Sequence, residues 1–157
     1  MEIVRAQVRH IPGMLRLLGQ VGQVHHDIRP DLFRSGAQKY DEGALAELLK
    51  DPLRPIFVAV EETMLGYCFC IYQQHINNNN LTDIRTLYID DLCVDENRRG
   101  GGIATALYRH ATDYAKRLGC AFVSLNVWCG NENAMAFYEK MGLKPQKIGM
   151  ESILEQC

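Results

Sequence analysis

The sequence predicts a single α/β domain over residues 1–157: a strongly twisted mixed sheet flanked by helices, in the order β-α-α-β-β-β-α-β-α-β. The length suits one domain with its own core. Apolar residues make up 47% and charged residues 23% of the chain, the ordinary mixture of a globular protein. Helical stripes and strand-like runs also follow one another along the chain without an internal repeat.

The first half predicts a strand, two helices and a three-strand meander. Apolar residues alternate at the start, and a helical stripe then runs from Met14 to Val21. A second helix is clearest over residues 42–49, before Asp51 and Pro52. Runs rich in β-branched and aromatic residues follow, separated by polar turns that include the four asparagines 77–80. The predicted strands are residues 3–6, 56–60, 65–72 and 86–94.

In the second half, helices and strands alternate. Residues 102–118 and 132–141 have helical periodicity, and residues 120–128 form a strand-like run between them. Residues 143–154 are predicted to supply one or two closing strands. Helices interrupt only the later strands, so we expect parallel pairing only in the centre of the sheet.

Charge and composition exclude several functions. The net charge of −2 provides no positive field for nucleic acid or an anionic membrane surface. The start lacks a signal peptide pattern and no apolar run approaches about 18 residues, so we expect a cytoplasmic protein. Six cysteines without a C-x-x-C pair predict reduced apolar side chains and no metal site. Cys93 or Cys129 as a nucleophile is the alternative.

A glycine turn between a strand and a helix is the most informative segment. Glycines admit positive φ and close backbone approach, and a helix N-terminus attracts an anion, so the turn predicts a phosphate-bearing ligand. No Lys-Ser or Lys-Thr pair follows the glycines, which argues against a P-loop, and the dinucleotide pattern is half met. A plain helix entry is the alternative. The predicted ligand-binding residues are Arg99, Gly100, Gly101, Gly102, Ile103, Ala104 and Thr105.

Two motifs in this order resemble those of the GNAT superfamily of N-acetyltransferases. Arg99, Gly102 and Ala104 match its R/Q-x-x-G-x-G/A signature for acetyl-CoA. A second motif of the superfamily, N-x-x-A-x-x-F/L-Y-x-x-x-G-F/L, is matched after the next predicted strand. The resemblance covers the whole chain in element order and residues 86–143 in motif detail. The residues of the second motif are Asn131, Ala134, Phe137, Tyr138, Gly142 and Leu143.

The resemblance implies roles for residues beside these motifs. Leu92, Cys93 and Val94 would lie along the pantetheine arm of acetyl-CoA, and Asn131 would hold the start of its helix or the pantetheine. Tyr138 would protonate the leaving thiolate, with packing in the apolar helix stripe as the alternative. Asp90 would deprotonate the amine through water, and Asp91 would accept a structural hydrogen bond. The alternative for both carboxylates is a surface position or attraction of a cationic substrate.

The implied enzyme is an acyltransferase that moves an acetyl group from acetyl-CoA to a primary amine of a small molecule or peptide. Polyamine, aminoglycoside-like and peptide N-terminal acceptors remain open, as does a homodimer. A catalytically silent CoA-binding sensor of the same fold is the competing hypothesis. The acceptor site is expected along residues 23–40 and the strand ends, and it includes His25, His26, Arg29, Asp31 and Phe33.

Overall fold

The computed structural model describes residues 1–155 and divides the chain into two compact units, one from Met1 to Asn126 and one that begins at Val127. Within the described residues, the first unit contains five strands and three α-helices, and the second contains one α-helix. The strands are β1 (Glu2–Arg5), β2 (Ile56–Val60), β3 (Met64–Gln74), β4 (Arg85–Val94) and β5 (Phe122–Leu125). The helices are α1 (Ile11–Ile28), α2 (Glu42–Leu48), α3 (Ile103–Arg117) and, in the second unit, α4 (Glu132–Lys140).

The strands form one mixed sheet in the order β1-β2-β3-β4-β5. The first four strands pair antiparallel with their neighbours, and β5 pairs parallel with β4. Helix α3 makes the crossover that a parallel pair requires. The predicted fold class, a mixed sheet flanked by helices, is therefore confirmed.

Helices cover both faces of the sheet because the strands are apolar on both sides. Along β2, Ile56 and Val58 pack with α1 and α2, whereas Phe57 and Ala59 pack with α3. Gly66 of β3 lets α3 approach closely, since a Cβ there would stand 3.0 Å from Cδ1 of Leu107 and 3.3 Å from Cγ2 of Ile103. The two sides of the sheet are called the α1/α2 face and the α3 face below.

The prediction of closing strands in residues 143–154 is wrong. No strand lies within residues 143–155, where Ile148, Met150, Ile153 and Leu154 are between 81% and 92% exposed. Strand propensity is not sufficient, because a strand also needs a neighbour to complete its backbone hydrogen bonds. Without a closing strand, the parallel pair lies at the end of the sheet and not in its centre. Strand β5 also ends at Leu125, short of the predicted residue 128.

Two further findings concern the described residues. No helix within residues 1–155 is both long and apolar enough to cross a membrane. The five cysteines in that part of the chain are free thiols, and Cys68, Cys70 and Cys93 are buried. Cys157 lies outside the described residues.

Candidate active site

A β-bulge in β4 lies at the centre of the candidate site. Phe69 of β3 pairs with Asp91, and the next residue of β3, Cys70, pairs with Ile89. Asp90 is therefore the extra residue, with no partner on β3. A bulge of this kind shifts the alternation of side chains along the strand.

The bulge turns two consecutive carboxylates to the same face of the sheet. Before it, Ile89 packs on the α3 face, which directs Asp90 to the α1/α2 face. After it, Leu92 packs on the α3 face and Cys93 on the α1/α2 face, so Asp91 also belongs to the α1/α2 face. Regular alternation would have separated the two side chains.

Asp90 forms an ion pair with a lysine from the segment between α1 and α2. The Nζ atom of Lys39 donates to Oδ2 of Asp90 at 2.6 Å. The Asp90 side chain is 19% exposed and that of Lys39 is 50% exposed. Burial alone would lower the pKa of Lys39, but the hydrogen bond and the negative charge of Asp90 outweigh it and raise that pKa. Lys39 is therefore held as an ammonium beside the predicted base.

Asp91 lies deeper and accepts a hydrogen bond from the hydroxyl of Tyr67 at 2.7 Å. Burial raises the pKa of the Asp91 carboxyl to about 6, although the Tyr67 hydrogen bond and the charge of Lys39 oppose the change. Burial also raises the pKa of Tyr67 well above its usual value. The predicted role of Asp91 as a hydrogen-bond acceptor agrees with this geometry.

On its other side, β4 loses its ladder to β5 at the same place. The parallel register runs from Thr86 opposite Phe122 to Ile89 opposite Leu125 and does not extend to the last part of β4. Leu92, Cys93 and Val94 lie on this last part, which has no β5 partner. Such an edge presents backbone N–H and C=O groups that can pair with an extended ligand.

After β4, a short 3-10 turn and the glycines lead into α3. Gly100 has φ +84° and Gly102 has φ +75°, the left-handed region that glycine adopts without strain. A Cβ at either position would meet no atom within 4 Å, so the space in front of the turn is open. The first helical hydrogen bond runs from the N–H of Ala106 to the Gly102 carbonyl, which leaves the N–H groups of residues 103–105 without helical acceptors. The predicted anion site therefore has a suitable backbone shape.

Asp95 anchors the start of this turn to α1. Its carboxylate accepts from the backbone N–H of Asn97 at 3.1 Å and forms an ion pair with Arg16. These contacts, the Asn97 hydrogen bond first, lower the pKa of Asp95. Arg16 also donates to the Met64 carbonyl at 2.8 Å. The glycine turn is thus held to the β2–β3 hairpin and to α1, an anchoring that no motif in the sequence marks.

The predicted acceptor segment folds back on itself at the end of α1. His26 Nδ1 lies 2.6 Å from the Phe33 carbonyl oxygen, and the His25 ring lies 5.1 Å from the Phe33 ring. Arg29 forms an ion pair with Asp31 at 2.7 Å. Burial and the nearby charge of Lys39 lower the pKa of His25. Lys39 itself lies in the predicted range 23–40 but has no motif, so sequence reasoning missed it.

The second unit contains the other two predicted site residues. The side chain of Asn131 caps α4 by accepting from the backbone N–H of Ala134 at 3.3 Å, as its position before the helix predicts. Tyr138 lies on α4, half-buried, with its ring 5.1 Å from that of Phe137. The first unit thus brings together Asp90, the β4 edge and the glycine turn. The roles of Tyr138 and Asn131 toward a ligand remain predictions.

A family model and two curated relatives all indicate the same family. A model of the acetyltransferase (GNAT) family matches residues 22–143. An uncharacterized N-acetyltransferase of Methanocaldococcus jannaschii is 32% identical over 81 residues, which are 52% of this chain and 34% of that protein. N-alpha-acetyltransferase 30 of Schizosaccharomyces pombe is 34% identical over 87 residues, 55% of each protein. The matched regions thus span about a third and about half of these curated relatives.

A solved structure resembles the whole chain. A mutant of the BH1408 protein from Bacillus halodurans is 31% identical and has a TM-score of 0.93, with 99% of this chain and 100% of that chain covered. Similarity at this level extends the match beyond the motif region to the complete order of elements.

Proposed function

The chain belongs to the acetyltransferase (GNAT) family, and from that premise we propose that it transfers an acetyl group directly from acetyl-CoA to a primary amine of a small molecule or peptide. The observation that carries the proposal is the junction of β4 and α3. At this junction, the part of β4 that has no β5 partner is followed by two glycines with positive φ. The N–H groups at the start of α3, which have no helical acceptors, come directly after them. A ligand with both an extended amide arm and a pyrophosphate fits such a junction.

In this proposal, the glycine turn and the edge of β4 bind different parts of acetyl-CoA. The N–H groups of residues 103–105 would bind the pyrophosphate, aided by the positive end of the α3 dipole and by the Arg99 guanidinium. The backbone of Leu92 and Val94 would pair with the pantetheine arm, and an N–H near Leu92 or Cys93 would face the thioester carbonyl. The open space in front of Gly100 and Gly102 supports the binding of the pyrophosphate.

For the amine, Asp90 is the proposed base. An alkyl ammonium must lose a proton before it can attack a thioester carbon. Asp90 lies on the bulge just before the proposed pantetheine edge, and its short side chain favours a relay through water. The Lys39 ion pair is consistent with a carboxylate that binds an amine at this point. Tyr138 is the proposed acid for the CoA thiolate, because a phenol with a pKa of about 10 is protonated at neutral pH.

The acceptor would be a cytoplasmic small molecule or peptide. The buried free thiols of Cys68 and Cys70, whose sulfurs are 3.6 Å apart, support a reducing compartment. Membership of the GNAT family supports an amine acceptor of some kind.

Thioester consumption with a panel of primary amines tests the proposal. We expect acetyl-CoA to be consumed in proportion to acetylated amine, and Tyr138→Phe to lower kcat by roughly 10²-fold with an unchanged Kd for CoA. Asp90→Asn should lose most activity at low pH, where the free amine is scarcest, and recover part of it as the pH rises. CoA binding without any amine-dependent thioester loss would instead identify a silent sensor.

A further inference from the structure

The ammonium of Lys39 is lodged between a carboxylate and an aromatic face. Its Nζ atom lies 2.6 Å from Oδ2 of Asp90 and 5.4 Å from the centre of the Tyr40 ring. An ammonium within about 6 Å of a ring centre is attracted by the negative face of the ring. Carboxylate and ring together are the two groups with which proteins bind alkylammonium ions.

Both walls of this site are fixed by the fold. Asp90 is set on the α1/α2 face by the bulge in β4, and the Tyr40 ring stacks on Phe69 at 5.9 Å between centres. The same two residues line a shallow cleft whose other walls are mainly apolar, including Leu48 and Ile71. Apolar side chains beside a carboxylate can contact the first carbons of an alkyl chain that ends in a charged amine.

The backbone that carries Lys39 is also fixed. Gln38 donates from Nε2 to the Leu15 carbonyl of α1 at 2.8 Å. The carbonyl oxygen of Ala37 lies 2.7 Å from where a Cβ of Gly22 would be, so only glycine admits this approach. The Lys39 side chain itself is half exposed and therefore free to swing outward at modest cost. A side chain that can move while its backbone stays in place can occupy and leave the site beside Asp90 reversibly.

We propose that Asp90 and Tyr40 form a binding site for a primary alkylammonium ion, and that Lys39 occupies this site as an internal stand-in until the acceptor displaces it. Because Asp90 is taken as the acceptor side of the transferase, this site deepens the proposed function and rests on it. The acceptor is then an unbranched primary alkylamine, of the kind that the four-carbon arm of Lys39 imitates. Lys39 competes with every ammonium ligand, the acceptor included, and so sets the affinity of the site.

The charges around the site agree with a single ammonium. Asp90 and Asp91 supply the negative charge, and Lys39 offsets part of it. Arg54 also lines the cleft and forms an ion pair with Asp51 at 3.7 Å. Displacement of Lys39 by one ammonium keeps the balance of charge unchanged.

Internal competition has a measurable consequence. A ligand that must displace an occupant has an apparent Kd equal to its intrinsic Kd divided by the fraction of sites that are vacant. Ion pairs of this exposure are of modest strength, so removal of the Lys39 charge should lower the Kd of an alkylammonium by roughly three- to tenfold. The Kd of a neutral ligand of the same length should not change, because such a ligand forms no ion pair with the Asp90 carboxylate.

The test is calorimetric titration with n-butylammonium at about pH 7 and low salt, without acetyl-CoA. Lys39→Met should bind about three- to tenfold more tightly than the wild type, and Lys39→Gln should show a smaller gain. Lys50→Met is the matched control, because Lys50 also forms an ion pair at 2.7 Å, but with Glu47 and not with Asp90. Adding Asp90→Asn to Lys39→Met should abolish the gain. Thermal melting establishes that each variant is folded.

Several results would overturn the site. It is refuted if n-butylammonium binds neither the wild type nor folded Lys39→Met or Lys39→Gln, or if its Kd is equal in all three. An equal gain for n-butanol would mean that the variant only opened an apolar cleft. Because the titration contains no acetyl-CoA, its outcome is separate from that of the transferase assay. Alkylamine acetylation with an unchanged Kd would leave the proposed function standing and remove this site.

Discussion

Burial of the Asp91 carboxyl raises its pKa, and this effect can be measured as a pH-dependent change in the free energy of unfolding. The carboxyl accepts a hydrogen bond from Tyr67 at 2.7 Å, and burial raises its pKa from 3.8 to about 6. The change we consider is Asp91→Asn, which keeps the shape and an oxygen acceptor for the Tyr67 hydroxyl but removes the titration.

The sign of the effect follows from proton binding. Between about pH 6 and pH 4, the folded chain holds a proton on Asp91 that the unfolded chain has released. The free energy of unfolding of the wild type should therefore increase, relative to Asp91→Asn, as the pH falls through this window. Above about pH 6 the difference should be flat. A shift of about two units at about 1.4 kcal/mol each gives an upper bound of roughly 3 kcal/mol.

Urea denaturation at half-unit steps from about pH 4 to pH 8 measures this difference. Carboxylates that do not interact with Asp91, such as Asp95 with its lowered pKa, titrate in both proteins and cancel when the two curves are subtracted. Asp113→Asn on α3 is the control: Asp113 is exposed, so its removal should not reproduce the rise in stability that burial of Asp91 produces toward low pH. A wild-type curve that runs parallel to that of Asp91→Asn, or that falls below it as the pH drops from 6 to 4, would refute the role assigned to burial.

Three further substitutions test the turn, the helix cap and the packing. Gly102→Val should lower CoA affinity at least about tenfold in calorimetry while the protein stays folded. Valine rarely adopts φ +75°, and its side chain would fill the space in front of the turn. Unchanged CoA affinity would contradict the anion site. Asn131→Ala should lower the unfolding free energy by about 1 kcal/mol through loss of the α4 cap, and a pure kcat defect with normal melting and CoA binding would argue against this role. Gly66→Ala should cost about 1–3 kcal/mol in urea denaturation, since its Cβ would lie 2.8 Å from the Cys93 oxygen, whereas Gly101→Ala, with its nearest contact at 3.6 Å, should cost less.

The elements of the sheet and the helices were predictable because their signals are local. The stripe of α1 and the apolar runs of β2 and β3 depend on residues within one element, so periodicity was sufficient. The order strand, glycine turn, helix predicted the geometry at Gly102 for the same reason. The segment 143–154 failed because its residues resemble a strand, whereas strand formation depends on a partner elsewhere in the chain.

The bulge and the lysine were beyond sequence reasoning for different reasons. Strict alternation assigns Asp90 and Asp91 to opposite faces, and no residue in β4 marks the extra position that puts them on one face. Lys39 is 51 residues from Asp90, and its place depends on how Gln38 and Gly22 seat the segment on α1. Contacts of this kind exist only after the chain has folded.

The bulge and the end of the β4–β5 ladder are adjacent, and this arrangement would allow one strand to contact both substrates of the proposed reaction. Pairing with β5 stops at Ile89, and the extra residue that follows is Asp90. From there, one edge of β4 is available to the proposed pantetheine arm, while the shifted alternation turns both carboxylates toward α1 and α2. Without the bulge, Asp91 would face α3 and Asp90 would stand alone beside Lys39. In the proposed reaction, therefore, a single irregularity of the backbone brings the acyl donor and the amine to neighbouring residues of one strand.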